Sequence, residues 1–273
     1  MNPELLQAIR TVLRSTGSLK LDAVLVGALA SELAASEAQG LAAARGTFDA
    51  DFAINFASWK QFDALKTSLV GNGFAADPTI EHRLYLGKES MIDLIPYGPH
   101  MNRNGELLWP SSQRMMVVVG FDEACAHTVE SRVGQGVTVR RITVPEFALL
   151  KTIAFLDRHA SGHPKYRSDA EDLMFWFRNY GGGSEEGRKY CLSEEGVSDV
   201  HFVDAGAALL GIEVGKMASG AADLRIRMFL QQTADLYGPF LNAVITPGFD
   251  DNRPGVHSLC TAFRKGYEAV RGV

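Results

Sequence analysis

The stretch "TFDADFAINF", residues 47–56, limits what this chain can fold into more than any other. Its apolar residues alternate as in a strand, yet Asp49 and Asp51 stand one residue apart inside it. Side chains at i and i+2 of a strand share a face, with Cα atoms roughly 6–7 Å apart. Two anions so placed repel each other, and a face that buries them needs a cation or hydrogen-bond donors close by. Two readings follow: a solvated edge with both carboxylates in water, or a site for a divalent metal ion.

The flanking sequence alternates strand and helix signals. "MNPELLQAIRTVLRSTG" is helical, with Leu5, Leu6, Ile9, Val12 and Leu13 on one face. "LDAVLVG" (21–27) reads as a short buried strand ended by Gly27, and "ALASELAASEAQGLAAA" as a helix rich in Ala, Leu and Glu. After the Asp-x-Asp strand, "SWKQFDALKTSLVGNGF" is a helix with Phe62, Leu65 and Leu69 at helical spacing and a Gly-Asn-Gly stop. "EHRLYLGKESMIDLIPYG" is a hairpin about Gly87–Glu89. "QRMMVVVG" is a further strand, leading into "FDEACAHTVE" and then "GVTVRRITV".

From Thr143 the pattern turns helical. "TVPE" forms a capping box with Pro145 in the first turn of a helix that continues through "FALLKTIAFLDRH". A Gly162-His163-Pro164 loop precedes "SDAEDLMFWFRNY", whose Ser168 and Glu171 make a second Ser-x-x-Glu box with Ser168 as N-cap. "GGGSEEG" (181–187) reads as a linker, and the remainder as mostly helical. The expected fold class is α+β. A mixed sheet flanked by helices, with the N-terminal helix, occupies 1–143, and a mainly helical part occupies 144–273.

Composition excludes several classes. The chain has 273 residues, 46 % hydrophobic and 22 % charged, enough for a substantial core in an ordinary soluble protein. A formal charge of −5 argues against indiscriminate nucleic-acid binding over the whole surface, though not against a local basic site. Cys125, Cys191 and Cys260 form neither a metal-ligand spacing nor a disulfide framework, which points to a reducing, cytoplasmic setting. Glu4 and two arginines interrupt the N-terminus as a signal peptide, and no run is long enough to span a bilayer, so no membrane partner is expected. No Gly-x-Ser-x-Gly, Walker loop or dinucleotide fingerprint is present.

A third carboxylate, Asp93, sits between Ile92 and Leu94, where an apolar strand would favour another residue. With Asp49 and Asp51 it completes three acidic oxygen donors on neighbouring strands. Mg²⁺ takes a few carboxylates and fills its remaining positions with water and phosphate oxygens. Two such ions roughly 3.5–4 Å apart suit an in-line phosphoryl displacement.

In this order, "VLVGALASELAA", "ARGTFDADFAI" and "MIDLIPYG" resemble the polymerase-β-type nucleotidyltransferase superfamily. Within it, "RGTFDAD" followed by "EFALLKTIAFLDR" and "KYRSDAEDL" is similar to the group containing the AbiEii-type toxins of toxin–antitoxin and phage-abortive systems. The resemblance covers roughly residues 20–178. It implies the nucleotidyltransferase fold, two Mg²⁺ ions on Asp49, Asp51 and Asp93, and an NTP as substrate. It also implies transfer of NMP to an acceptor hydroxyl: an RNA 3′ end such as tRNA, a protein or a small molecule. An antitoxin protein is the implied partner. Lys151 and Asp172 are the further catalytic residues so implied, and Gly27, Ala28, Arg45, Thr47, Lys151, Arg158 and Asp169 the nucleotide-binding ones, with the helical part completing the cleft.

One departure stands out. The superfamily's Gly-Gly or Gly-Ser turn is here Gly27-Ala28, which keeps the backbone N–H groups but lacks a hydroxyl; Ser31 or Thr47 would supply one instead. Ala28 is also poorly suited to φ > 0, and the spacing from Gly27 to Asp49 is longer than usual. A non-catalytic relative and a small-molecule nucleotidyltransferase of the antibiotic-modifying kind are the rival readings.

The helical half carries its own alternatives. Lys151 is either a snorkelling lysine beside Phe147, Ala154 and Phe155 or an ammonium aimed at a triphosphate. The helix dipole accounts for Asp169 next to an N-cap and less well for Asp172, three residues on. By resemblance one of them orients Lys151 or Arg158. The cluster Arg158, His159, His163, Lys165 and Arg167 is a solvated face or a phosphate-binding one. The glycine and proline around His163 break the helix that a zinc pair with His159 would need.

Overall fold

A computed structural model describes residues 2–39, 47–181, 197, 199–245 and 252–272. The chain divides into two compact units, Met1–Thr143 and Val144–Val273.

In the first unit, helix α1 (Pro3–Ser18) begins at Asn2, whose side chain accepts from the Glu4 N–H, and buries Leu5, Leu6, Ile9 and Val12. Strand β1 (Ala23–Val26) is buried throughout and turns directly into α2 (Gly27–Gln39). Strand β2 (Asp49–Asn55) carries the two aspartates, and α3 (Trp59–Gly71) follows, burying Phe62, Leu65 and Leu69. Strands β3 (Ala75–Ala76), β4 (Arg83–Leu86) and β5 (Ser90–Tyr97) come next, β4 and β5 forming the expected hairpin. β6 (Glu106–Leu108) and β7 (Met115–Val117) form a separate two-stranded ribbon, so "QRMMVVVG" stands outside the main sheet. The short α4 (Phe121–Ala126) leads to β8 (Thr128–Gly134) and β9 (Val137–Ile142).

The main sheet is seven-stranded, ordered β3-β4-β5-β2-β1-β9-β8. It is mixed: β2 pairs parallel with β5 and β1 parallel with β9, while the other pairs are antiparallel. Ala50, Phe52 and Ile54 of β2 are fully buried, as are Ile92 and Leu94 of β5. Helix α1 packs against α3 and the strands β2, β4, β5 and β9. Each fully buried Leu, Ile or Phe contributes about 1.5–3 kcal/mol.

The second unit is helical among the described residues: α5 (Val144–Ala160), α6 (Tyr166–Asn179), α7 (Ala205–Met217), α8 (Gly220–Thr233), α9 (Pro239–Val244) and α10 (Arg253–Arg271). Phe177 stacks on Phe263 at 4.7 Å, and Phe229 meets Phe240 edge-on at 4.9 Å. Helices α7 and α10 approach so closely that a Cβ on Gly211 would strike the Phe263 carbonyl.

One expectation needs adjustment. Helix α6 starts at Tyr166, after Lys165, so Ser168 is not its N-cap; the Ser168 hydroxyl donates to the Lys165 carbonyl. The second capping box is therefore absent: the hydroxyl that would have held an N–H is spent on a carbonyl. Arg45, Cys191 and most of the expected linker lie outside the described residues. Among the described residues no helix is long and apolar enough to cross a membrane.

Candidate functional site

The register of β2 and β5 sets the site's geometry. Asp51 pairs with Asp93 and Asp49 with Met91 across the parallel strands. Directly paired residues point to one side of a sheet, so Asp49, Asp51 and Asp93 share a face. Asp49 and Asp51 are half-buried and alternate with the buried Ala50 and Phe52 of the opposite face. The sequence placed these three residues on neighbouring strands, and the fold brings them to one face.

Gly27 ties this face to the start of α2. It takes φ +70°, and a Cβ on it would run into the Asp51 carboxylate. Two independent reasons therefore exclude other residues here: a left-handed backbone and close approach of a side chain. Ala28 has no positive φ, so the strain expected there does not arise. The first N–H groups of a helix have no intrahelical acceptor and present partial positive charge. Asp51 thus lies against a helix start, a setting that favours anionic oxygens. Thr47 donates its hydroxyl to the Asp49 carboxylate and accepts from the Asp49 N–H at 3.3 Å, fixing the side chain at the mouth of the strand.

Asp93 is held differently. Arg83 grips it with both arms of its fork, Nε to Oδ1 at 2.8 Å and Nη2 to Oδ2 at 2.7 Å. Arg83 is the direct antiparallel partner of Asp93, so the contact is built into the hairpin. Asp93 is only 7 % exposed, and such a buried bidentate pair is costly to break from one side. The bond to Asp93 raises the Arg83 pKa above its ordinary value. His82 lies beside the pair, Nε2 3.8 Å from Asp93 Oδ2, and stacks on Trp109 at 5.3 Å. Burial lowers the His82 pKa, and the nearby Asp93 charge only partly opposes that. Glu81 accepts from the Ser112 N–H at 2.9 Å and from the Ser111 hydroxyl, anchoring the loop that carries Trp109.

The Arg83 fork on Asp93 is a feature that the expectation of three carboxylates closing on two ions did not include. Among the described residues no group of three acidic, His or Cys side chains is arranged to hold a metal. The physical reason is Arg83, which takes both oxygens of Asp93. The Asp49 and Asp51 pair remains a donor set of the kind a hard cation accepts.

Within the second unit, Lys151 of α5 reaches two carboxylates of α6: Asp169 Oδ1 at 3.0 Å and Asp172 Oδ2 at 2.9 Å. Arg158, two turns further along α5, binds the same Asp169 at 2.6 Å. Asp169 has no exposed surface, so it is a buried ion-pair centre and more than a helix-dipole partner. Burial alone would lower the Lys151 pKa, but Asp169 and Asp172 reverse that and hold it above the ordinary range. Lys151 also lies over the Phe147 ring at 5.5 Å. His159 stacks on Phe155 at 5.8 Å, which uses its ring in packing.

Sequence reading missed Arg83, His82 and Trp109. A hairpin folded about Lys88 places residue 83 opposite 93, so the Arg83–Asp93 pair was implied by the turn already identified. Trp109 had no such signal, because its loop returns from a separate ribbon.

No family model matches the chain, and no curated protein matches it either. Several solved structures are similar. The antibiotic-resistance factor ANT(2'')-Ia, in solution, superposes with a TM-score of 0.38 at 13 % identity, covering 64 % of this chain and 90 % of its own. An antigenic nucleotidyltransferase-like protein from Paracoccidioides brasiliensis gives 0.43 at 16 %, covering 89 % and 94 %. The cyclic dinucleotide synthase CdnE of Elizabethkingia meningoseptica gives 0.28 at 8 %, covering 97 % and 91 %. Likeness at this level carries no activity from those proteins to this one.

Proposed function

We propose that this chain is a nucleotidyltransferase that moves an NMP from an NTP to an acceptor hydroxyl and releases pyrophosphate. The observation that carries the reading is the Asp51 carboxylate packed against Gly27 at the start of α2, in parallel register with Asp93. That arrangement joins an anion-accepting helix start to a paired acidic strand, and both accord with the resemblance of the sequence.

Asp49 and Asp51 would hold a Mg²⁺ ion, which supplies charge neutralisation on the triphosphate and activation of a hydroxyl nucleophile. The N–H groups of Gly27 and Ala28 would bind phosphate oxygens without needing a side-chain hydroxyl. Thr47 keeps Asp49 in one orientation. Lys151 is the proposed cation for the leaving pyrophosphate; its raised pKa keeps it charged at neutral pH. Asp169 and Asp172 fix its direction, and Arg158 and Arg45 are proposed to bind phosphate. The acceptor is proposed to be an RNA 3′ end or a protein, as a toxin held in check by an antitoxin, which the Arg45–Asp51 and Lys165–Leu173 segments support by resemblance.

The test is incubation with each α-labelled NTP and Mg²⁺, offering total RNA, the protein itself and aminoglycosides as acceptors. Label on RNA or protein is the expected result. Label on the small molecule alone would move the chain to the antibiotic-modifying reading. No label on any acceptor would favour a non-catalytic relative.

A further inference from the structure

Strand β8 closes one side of the main sheet, and its outer edge carries charges of both signs. It stands last in the sheet order and, among the described residues, pairs with β9 alone. A strand so placed turns alternate backbone N–H and C=O groups outward and offers a template to another strand. We propose that β8 is the docking edge for a second copy of this chain, the two strands pairing antiparallel about a two-fold axis at Ser131. The inference stands apart from the nucleotidyltransferase reading and uses none of its residues.

The side chains select both the occupant and the register. Ser131 and Val133 are buried on one face of the sheet, where the Ser131 hydroxyl donates to Glu37 at 2.8 Å. Glu130 and Arg132 are exposed on the other face. Edge charges of a single sign keep copies apart. Here they are opposite in sign and two residues apart, which makes the edge complementary to itself. A two-fold contact presents the same patch from both sides. An axis at Ser131 therefore sets Glu130 against the partner's Arg132, and Arg132 against the partner's Glu130. An axis at Glu130 or at Arg132 would oppose like charges, which is destabilising.

The neighbouring strand extends the pattern. Arg140 of β9 is the cross-strand partner of Glu130 and is held by the Thr128 hydroxyl at 2.9 Å. Glu130 in the pair of copies would thus lie between Arg140 and the partner's Arg132. On the opposite face Val129 is 41 % exposed and would gain the partner's Val133 beside it. The register with β9 shifts between Arg132 and Gly134, a bulge that ends the regular edge and confines the new ladder to residues 129–133. One pair of such short strands buries less than the roughly 1,200–2,000 Å² of a stable interface, so the dimer is weak and reversible.

The experiment is sedimentation velocity of the full chain at loading concentrations from about 1 to 100 µM, which bracket micromolar affinities. Wild type is expected to pass from monomer toward dimer over that range. Glu130→Arg and Arg132→Glu each turn two attractive pairs into repulsive ones, and each should weaken dimerisation at least ~10-fold. Mixing the two variants should bring the dimer back, since each supplies the charge that the other lacks. Both positions are exposed, and circular dichroism checks that the fold is kept. If one variant does not fold, the dimerisation of the other decides the question. Wild type that stays monomeric throughout, a folded variant that dimerises like wild type, or two folded variants whose mixture stays monomeric would each overturn the inference. None of these outcomes bears on NMP transfer, which the label-transfer assay tests separately.

Discussion

Two acidic clusters in this molecule use the same residue types to opposite ends. On the β2–β5 face of the first unit, three carboxylates share a sheet side, and Arg83 grips one of them, Asp93. On α5 and α6 of the second unit, two carboxylates face two cations, Lys151 and Arg158. The first set is half-buried at Asp49 and Asp51; the second closes around a fully buried Asp169. Asp49 and Asp51 are half-buried, and Asp51 abuts a glycine turn that admits no other side chain. Asp169 is sealed from water. Carboxylates that water can reach suit the binding of a hard cation. Balanced charge out of water holds structure and direction, since each member would be costly to leave alone. The contrast separates carboxylates that bind from carboxylates that orient, and substitutions on the two sides should therefore fail differently.

The largest expected effect is on chemistry in the first cluster. Asp51→Asn should lower NMP transfer at least ~10²-fold, several kcal/mol of transition-state stabilisation, with the fold retained. Label transfer and circular dichroism on the same preparation check both halves. A loss of structure would place Asp51 with the orienting residues and break the contrast.

In the second cluster the cost should fall on stability. Asp169→Ala takes a carboxylate from Arg158 and one of two from Lys151, and we expect about 2–4 kcal/mol of destabilisation, below the full cost of a broken buried pair because Lys151 keeps Asp172 and Arg158 is partly exposed. Urea unfolding with an unchanged m-value would report it. A change under ~0.5 kcal/mol would mean the cluster is not structural.

A smaller effect tests the glycine turn. Gly27→Ala forces a side chain into φ +70° and into the Asp51 carboxylate, at a cost of about 1–3 kcal/mol. Transfer should fall as well, because Asp51 has to move. Full activity in a folded Gly27→Ala protein would show that the close approach has no functional weight.

How much of this was legible in the sequence depends on the range of the interaction. Alternation around Asp49 and Asp51 located β2, and the turn at Gly87–Glu89 located the hairpin, because both are set by neighbours in the chain. The shared face of Asp51 and Asp93 depends on β2 and β5 pairing in parallel across 42 residues, which no local pattern states. The sequence reading of Gly27-Ala28 overestimated the demand on Ala28: one left-handed residue suffices, and Gly27 provides it. Ser168 looked like an N-cap because its own side chain and Glu171 fit the box. The helix starts three residues earlier, with Asp169 in its first turn and sealed against α5 by Lys151 and Arg158. Tertiary burial of a charge pair outweighs a local capping preference worth about 1 kcal/mol.

The central claim, that the Asp49/Asp51 face binds a metal–nucleotide complex, is tested most directly by thermal unfolding with Mg²⁺ and a non-hydrolysable NTP analogue. Wild type should gain about 2.7 kcal/mol at a ligand concentration ~100 times its Kd, seen as a rise of several degrees in Tm. Asp51→Asn should show little of that rise under the same conditions, and omitting Mg²⁺ should remove most of it from wild type. No shift in wild type, or equal shifts in wild type and Asp51→Asn, would contradict the claim.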